Sequence, residues 1–252
     1  MQQIRLLHKE FEKELSFIHK TRLNCLINTC TTAANNNKLY LTGLGRKDSS
    51  KTKTSSNIEK VNRLLGNKHI HQERKSFYQM MTSRLISRFT SPWIHVDWSC
   101  INATTKLYVL RASLSLTGRS IVVYEKCYPK KKENNHGAHK EFLAELKGIL
   151  PSDIAPVIVT DAGFRAPWFN AVRQLGWHFV GRLRNKNLVR KDGIESWELS
   201  SHLFAKATGK PTYSGHFFLT EKGQVPTYVV LYKGKSKERH QYNLIKKLVH
   251  LV

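Results

Sequence analysis

The chain has 252 residues, 42 of them Lys or Arg and 18 Asp or Glu, giving a formal net charge of +24 and a sequence pI near 10.1. Hydrophobic residues at 40% and charged residues at 24% exclude a wholly disordered chain, and the length suffices for a real core in one large domain or two small ones. An excess of cations this large points to a polyanion, and nucleic acid ranks ahead of a membrane: no run approaches the ~18 apolar residues of a spanning helix, and residues 1–5 lack the apolar core of a signal peptide.

Four cysteines (Cys25, Cys30, Cys100, Cys127) form no Cys-x-x-Cys pair, which argues against a zinc finger. They read as reduced thiols of a cytoplasmic protein. Of twelve histidines, the close pairs His69/His71 and His136/His139 are expected to face solvent.

In chain order, Ile4, Leu7, Phe11, Leu15 and Ile18 recur at three- and four-residue steps and predict an amphipathic helix. A second helix is expected over 21–34 through Leu23, Leu26, Ile27 and Cys30, ended by Asn35-Asn36-Asn37. Residues 39–47 make a short element closed by glycine, and 48–57 a Ser, Thr and Lys loop. Ser56 or Asn57 is expected to cap a helix through Ile58, Val61, Leu64 and Leu65 that stops at Gly66-Asn67. A longer helix over 69–89 carries Ile70, Phe77, Met81, Leu85 and Phe89 on one side. Residues 1–90 thus read as an all-helical domain with 17 Lys and Arg against 6 Asp and Glu. Two short helices about a tight turn suit a helix-turn-helix DNA reader, with Arg46, Lys47, Lys51, Lys53, Lys60, Arg63 and Lys68 as candidate phosphate contacts. A small bundle with a solvated basic face is the plainer alternative.

The pattern changes at Ser91. Trp93, Ile94, Val96 and Trp98 predict a buried strand holding a single carboxylate, Asp97, which is costly to ionise there without a cation or donors. Strands over 106–116 and 119–128 pair through a Thr117-Gly118 turn. A helix over 138–150 shows Phe142, Leu143, Leu146, Ile149 and Leu150 as its apolar side. The run Pro156-Val157-Ile158-Val159-Thr160 reads as a strand buried on both faces, ending in Asp161-Ala162-Gly163-Phe164. A helix over 166–175 and a strand over 177–182 follow. Three strands, a helix, a strand, a helix and a strand fit an α/β domain with a ribonuclease-H-like mixed sheet. Its first and fourth strands would lie roughly 4.8 Å apart, so Asp97 and Asp161 would meet. Such a pair repels unless a proton or metal lies between, and Mg²⁺ (or Mn²⁺) takes one or two carboxylates plus substrate phosphates. Taken singly, Asp97 reads better as a strand carboxylate satisfied by Arg or backbone donors, and Asp161 as a helix cap. Gly163 would allow close backbone approach beside the metal.

Val96-Asp97-Trp98-Ser99, the hairpin through Leu116-Thr117-Gly118-Arg119-Ser120, Tyr124-Glu125-Lys126, Asp161-Ala162-Gly163-Phe164 with Pro167-Trp168, and Leu175-Gly176-Trp177 together resemble the DDE cut-and-paste transposases of bacterial insertion sequences, in particular the insertion-sequence-4 group. Leu41-Thr42-x-Leu44-Gly45-Arg46 and Arg63-Leu64-Leu65-Gly66-Asn67 are similar to that group's end-binding domain. The likeness runs over about residues 20–235. It implies an end-binding domain over 1–90 and a catalytic core over 91–252, with a β-rich insertion starting near 183. It further implies binding of double-stranded DNA (inverted-repeat ends and target DNA), dimerisation with itself or with full-length transposase, and Mg²⁺-dependent cleavage and 3′-end transfer, with Asp97 and Asp161 as the first two metal-holding acids. The group's third acid lies in a Tyr-x-x-Arg-x-x-x-Glu-x-x-x-x-x-x-Lys helix that this chain does not contain. Glu195, Glu198, Glu221 and Glu238 lack the upstream Tyr and Arg, and 241–252 look unrelated. The expectation is therefore a C-terminally truncated chain, inactive alone. The alternative is a non-catalytic DNA-binding remnant or an inhibitor of full-length transposase.

Overall fold

The computed structural model describes residues 2–36, 39–48, 52–184, 186–233 and 243–246. The chain divides into two compact units, Met1–Arg84 and Leu85–Val252, at the last turn of a helix.

The first unit is helical: α1 (Gln2–Glu14), α2 (Lys20–Ala34), α3 (Leu41–Arg46), α4 (Thr54–Leu65) and α5 (Lys68–Ile86). Phe11, Leu15, Ile18, Leu23, Ile27 and Met80 form its core cluster, with Phe77 edge-on to Phe11 at 5.3 Å. Arg22 on α2 holds Glu73 on α5 through both its Nε and a terminal nitrogen. Three details differ from the sequence reading. The short element over 39–47 is a helix with Gly43 and Gly45 buried inside it, because α4 crosses so closely that a Cβ on Gly45 would lie 2.5 Å from the Ile58 Cα. Helix α4 begins at Thr54 without a side-chain cap; Asn57 lies within it, buried, and accepts a hydrogen bond from Thr52 Oγ1. On α5 the buried positions are Met80, Thr82 and Ile86, whereas Met81 and Phe89 are 37% exposed. The stop at Gly66-Asn67 is as expected, and Asn67 Oδ1 goes on to accept the His69 and Ile70 N–H groups that open α5.

The second unit is α/β. Strands β1 (Trp93–Asn102), β2 (Leu107–Leu116) and β3 (Arg119–Pro129) form an antiparallel meander, turned tightly at Gly118 with φ +73°. Helix α6 (His136–Lys147), β4 (Val157–Thr160), α7 (Ala166–Gln174) and β5 (His178–Gly181) follow. The strands lie in the order β3-β2-β1-β4-β5, with β4 parallel to both β1 and β5. That is the order expected from a meander extended by helical crossovers. One face is covered by α6 and α7: Phe142 packs on Tyr124 at 5.0 Å between centroids, and Phe169 on Phe179 at 4.6 Å. Phe142, Leu143 and Leu146 are buried on α6, as its apolar stripe predicts.

Strand β1 is not buried on both faces. Ile94 and Val96 point to the helices, while Trp93 is 45% exposed and His95, Asp97 and Ser99 point the other way. The carboxylate that looked misplaced in an apolar run is therefore an outward residue of an alternating strand.

A second sheet follows, built from β6 (Leu188–Lys191), β7 (Glu198–Leu199), β8 (Thr212–Leu219), β9 (Val225–Lys233) and β10 (Asn243–Lys246) in the order β10-β9-β8-β6-β7, with α8 (Ser200–Ala205) after β7. The β-rich character expected from residue 183 onward is present. Glu238 and most of 241–252 lie outside the described residues.

Candidate active site

Strands β1 and β4 run side by side in register, with Val96 opposite Thr160, so Asp97 and Asp161 are the next residue along each strand. Both carboxylates are exposed and line one cleft of about 690 Å³ on the sheet face that α6 and α7 leave open. His95, Arg111, Ser113, Val159, Val180 and Arg182 line it with them.

Asp161 is held by its own loop. The Gly163 N–H donates to Asp161 Oδ1 at 2.7 Å, and a Cβ on Gly163 would come within 2.9 Å of that oxygen. A larger residue at 163 would press on the carboxylate and make it shift. For Asp97, partial desolvation raises the carboxyl above its usual range, the Trp98 backbone N–H lowers it, and the negative charge of Asp161 raises it again. A mutually repelling pair of hard oxygen donors, open to solvent, fits a small divalent cation that completes its shell with water and phosphate oxygens. Among the described residues, no cluster of three or more His, Cys, Asp or Glu side chains is arranged to hold a metal. Among the described residues, no Glu lines the cleft.

Two residues beside the pair escaped the sequence reading. Arg111 is the cross-strand partner of Asp97, and its Nε donates to Glu125 Oε2 at 2.7 Å, making a charged row across β1, β2 and β3. That salt bridge leaves guanidinium N–H groups to meet an anion in the cleft. His139, expected to face solvent, is 5% exposed on the helix-covered side. Its Nε2 accepts from Trp98 Nε1 at 3.1 Å, and its ring stacks on Phe164 at 5.3 Å and meets Trp168 edge-on at 5.0 Å. The ring thus joins the neighbour of Asp97 to the loop of Asp161. The companion residues His69, His71 and His136 are exposed, as expected.

In the helical unit, Lys60 and Arg63 line a groove of about 780 Å³ between α2 and α4, beside Asn24, Asn28, Ser55 and Ser56. Arg63 is shared with Glu59, whose Oε1 accepts from its Nε at 3.0 Å. Arg46, Lys47, Lys53 and Lys68 are exposed but do not line that groove, and Lys51 lies outside the described residues. All four cysteines are free, and among the described residues no helix is long and apolar enough to cross a membrane.

No known protein family matches the chain, and no curated protein does. Among solved structures, endonuclease V of Ciona intestinalis, in complex with a 24mer DNA containing an inosine followed by a ribo-adenosine, is similar at 16% identity and a TM-score of 0.33, over 70% of this chain and 79% of that one.

Proposed function

We propose that the chain is a DNA-binding protein of the DDE transposase type, with a ribonuclease-H-like unit in which Asp97 and Asp161 hold Mg²⁺ (or Mn²⁺). What carries the reading is the parallel β1–β4 register, which sets the two carboxylates side by side in one open cleft. The sequence motifs around both residues and the net charge of +24 support it.

Bound there, a divalent ion supplies charge stabilisation for an in-line phosphoryl displacement. The chain's own groups do the rest. The Gly163 N–H fixes the orientation of Asp161, the Trp98 N–H helps keep Asp97 ionised, and Arg111, steadied by Glu125, offers donors to a non-bridging phosphate oxygen. Arg46, Lys47, Lys53, Lys60, Arg63 and Lys68 are assigned to phosphates of the DNA ends.

One observation favours a second reading, a non-catalytic DNA-binding protein that competes with an active relative for DNA ends: among the described residues no third acid joins the pair. Incubation of the full chain with duplexes carrying inverted-repeat ends and Mg²⁺ separates the two. Strand cleavage that Asp97→Asn and Asp161→Asn abolish supports the catalytic reading and overturns the expectation that the chain is inactive alone. Binding without cleavage supports the competitor. Failure to bind duplex DNA even at low salt removes both.

A further inference from the structure

The loop that carries Asp161 has a second side. Asp161 lines the carboxylate cleft, but Ala162, Phe164 and Arg165 line a separate cleft of about 670 Å³ between α7 and the β8–β9 turn. Five permanent cations converge on it from four segments: Lys140 on α6, Arg165 at the start of α7, Arg184 and Lys186 after β5, and Lys222 in the β8–β9 turn. His136, one turn before Lys140, adds a sixth basic side chain. Among the described residues, no Asp or Glu lines this cleft. All five cations are exposed, and none is ion-paired among the described residues.

Several acids of this unit are engaged elsewhere. Lys126 is held by Glu141 at 2.8 Å and Glu145 at 2.7 Å, Arg111 by Glu125, and His216 by Asp192 at 3.0 Å. Five unneutralised cations around one concavity give it a positive potential that favours an occupant with several negative charges. Their backbones are set on packed structure. Asn170 Nδ2 donates to the Gly223 carbonyl at 3.3 Å, and a Cβ on Gly223 would come within 3.1 Å of the Ala166 Cβ, so the β8–β9 turn sits directly on the start of α7.

We propose that this cleft holds the sugar–phosphate backbone of the DNA whose scissile phosphate lies at Asp97 and Asp161, an assignment that rests on the DNA-processing reading above. The shared loop fixes the direction. DNA leaving the carboxylate pair past Asp161 enters the basic cleft within one residue, at Ala162. The contacts are to phosphates, so they position the strand and read no bases.

The test uses the full chain and fluorescein-labelled duplex DNA, with affinity measured by anisotropy across a range of NaCl concentrations. In Lys140→Gln/Arg165→Gln/Lys222→Gln all three side chains are exposed, and an unchanged melting temperature verifies the fold. Each phosphate contact contributes about 0.9 to the slope of log affinity against log salt. The triple variant is expected to bind more weakly and with a slope shallower by about 2.7, while Lys140→Arg/Lys222→Arg keeps the wild-type slope. Wild-type binding with an unchanged slope in the triple variant overturns this assignment and leaves the DNA reading standing. A wild type that binds no duplex at any salt fails the DNA reading itself. A loss confined to RNA duplexes also overturns the assignment.

Discussion

His139 shows how one ring couples the two carboxylate-bearing segments, and its protonation state is part of that coupling. Burial, and after it the nearby His136, lower the imidazole from its ordinary 6.5 to about 4, so the ring is neutral at pH 7 with Nε2 free to accept from Trp98. The folded value lies below the unfolded one, so the unfolded chain binds the extra proton between them. The stability this group contributes is present above about pH 6.5 and is lost as pH falls through about 4. The loss from this one group amounts to up to about 3 kcal/mol. Melting curves between pH 7 and pH 4 should therefore fall less steeply for His139→Gln than for the wild type. Parallel curves would remove His139 from the account. Asp97 allows a second measurement, independent of catalysis. A cation bound by both carboxylates stabilises only the folded chain, so Mg²⁺ should raise the wild-type melting temperature, while Asp97→Asn should show little or no rise. An equal rise in both proteins would place the ion elsewhere.

At the scale of elements, the α3–α4 crossing rests on a missing side chain. Ala at Gly45 gains about 1 kcal/mol of helix propensity, but its Cβ would sit 2.5 Å from the Ile58 Cα, where backbone cannot yield cheaply. Overpacking of this kind costs about 1–3 kcal/mol, so Gly45→Ala should lower the melting temperature of the helical unit and weaken DNA binding with it. A more stable variant would mean that the helices separate easily. The same comparison explains what the sequence could and could not reveal. Strands β1 to β5 and helices α6 and α7 were readable because apolar periodicity, the Thr117-Gly118 turn and the crossover order all agree, and that order alone brings Asp97 beside Asp161. On α5, Phe77 packs on the core as expected, but Met81 and Phe89 are exposed while Met80 and Ile86 are buried, because the helix's polar and apolar residues are poorly segregated. Arg111 was missed for a sharper reason. Counting back from the two-residue turn pairs Ser113 with Val122 and would pair Arg111 with Tyr124, but a bulge at Val123 moves Arg111 opposite Glu125. Nothing in the local composition marks that extra residue. The basic cleft was missed because its cations come from four segments that only the docking of the β8–β9 turn on α7 gathers.

For the molecule as a whole, the two kinds of charge divide the work, and that division can be measured. In the proposed function the excess of 24 positive charges would act on every phosphate in reach, whereas the two cleft carboxylates would act on one. The salt dependence of DNA affinity should therefore be set by the cations and not by the carboxylates. With six to ten phosphates neutralised, binding to duplex DNA of any sequence should fall by about 10³- to 10⁵-fold between 50 and 200 mM salt. Substituting Lys60, which is exposed in the α2–α4 groove, should make that dependence shallower by about 0.9 in log–log slope. Asp161→Asn should leave the slope unchanged and, having removed a negative charge near the strand, should tighten binding slightly in the absence of Mg²⁺. The last effect discriminates, because a phosphate brought against two unscreened carboxylates is repelled until a cation arrives. If Asp161→Asn binds no more tightly than the wild type without metal, and Mg²⁺ does not strengthen wild-type binding, then the DNA does not pass over the carboxylate pair.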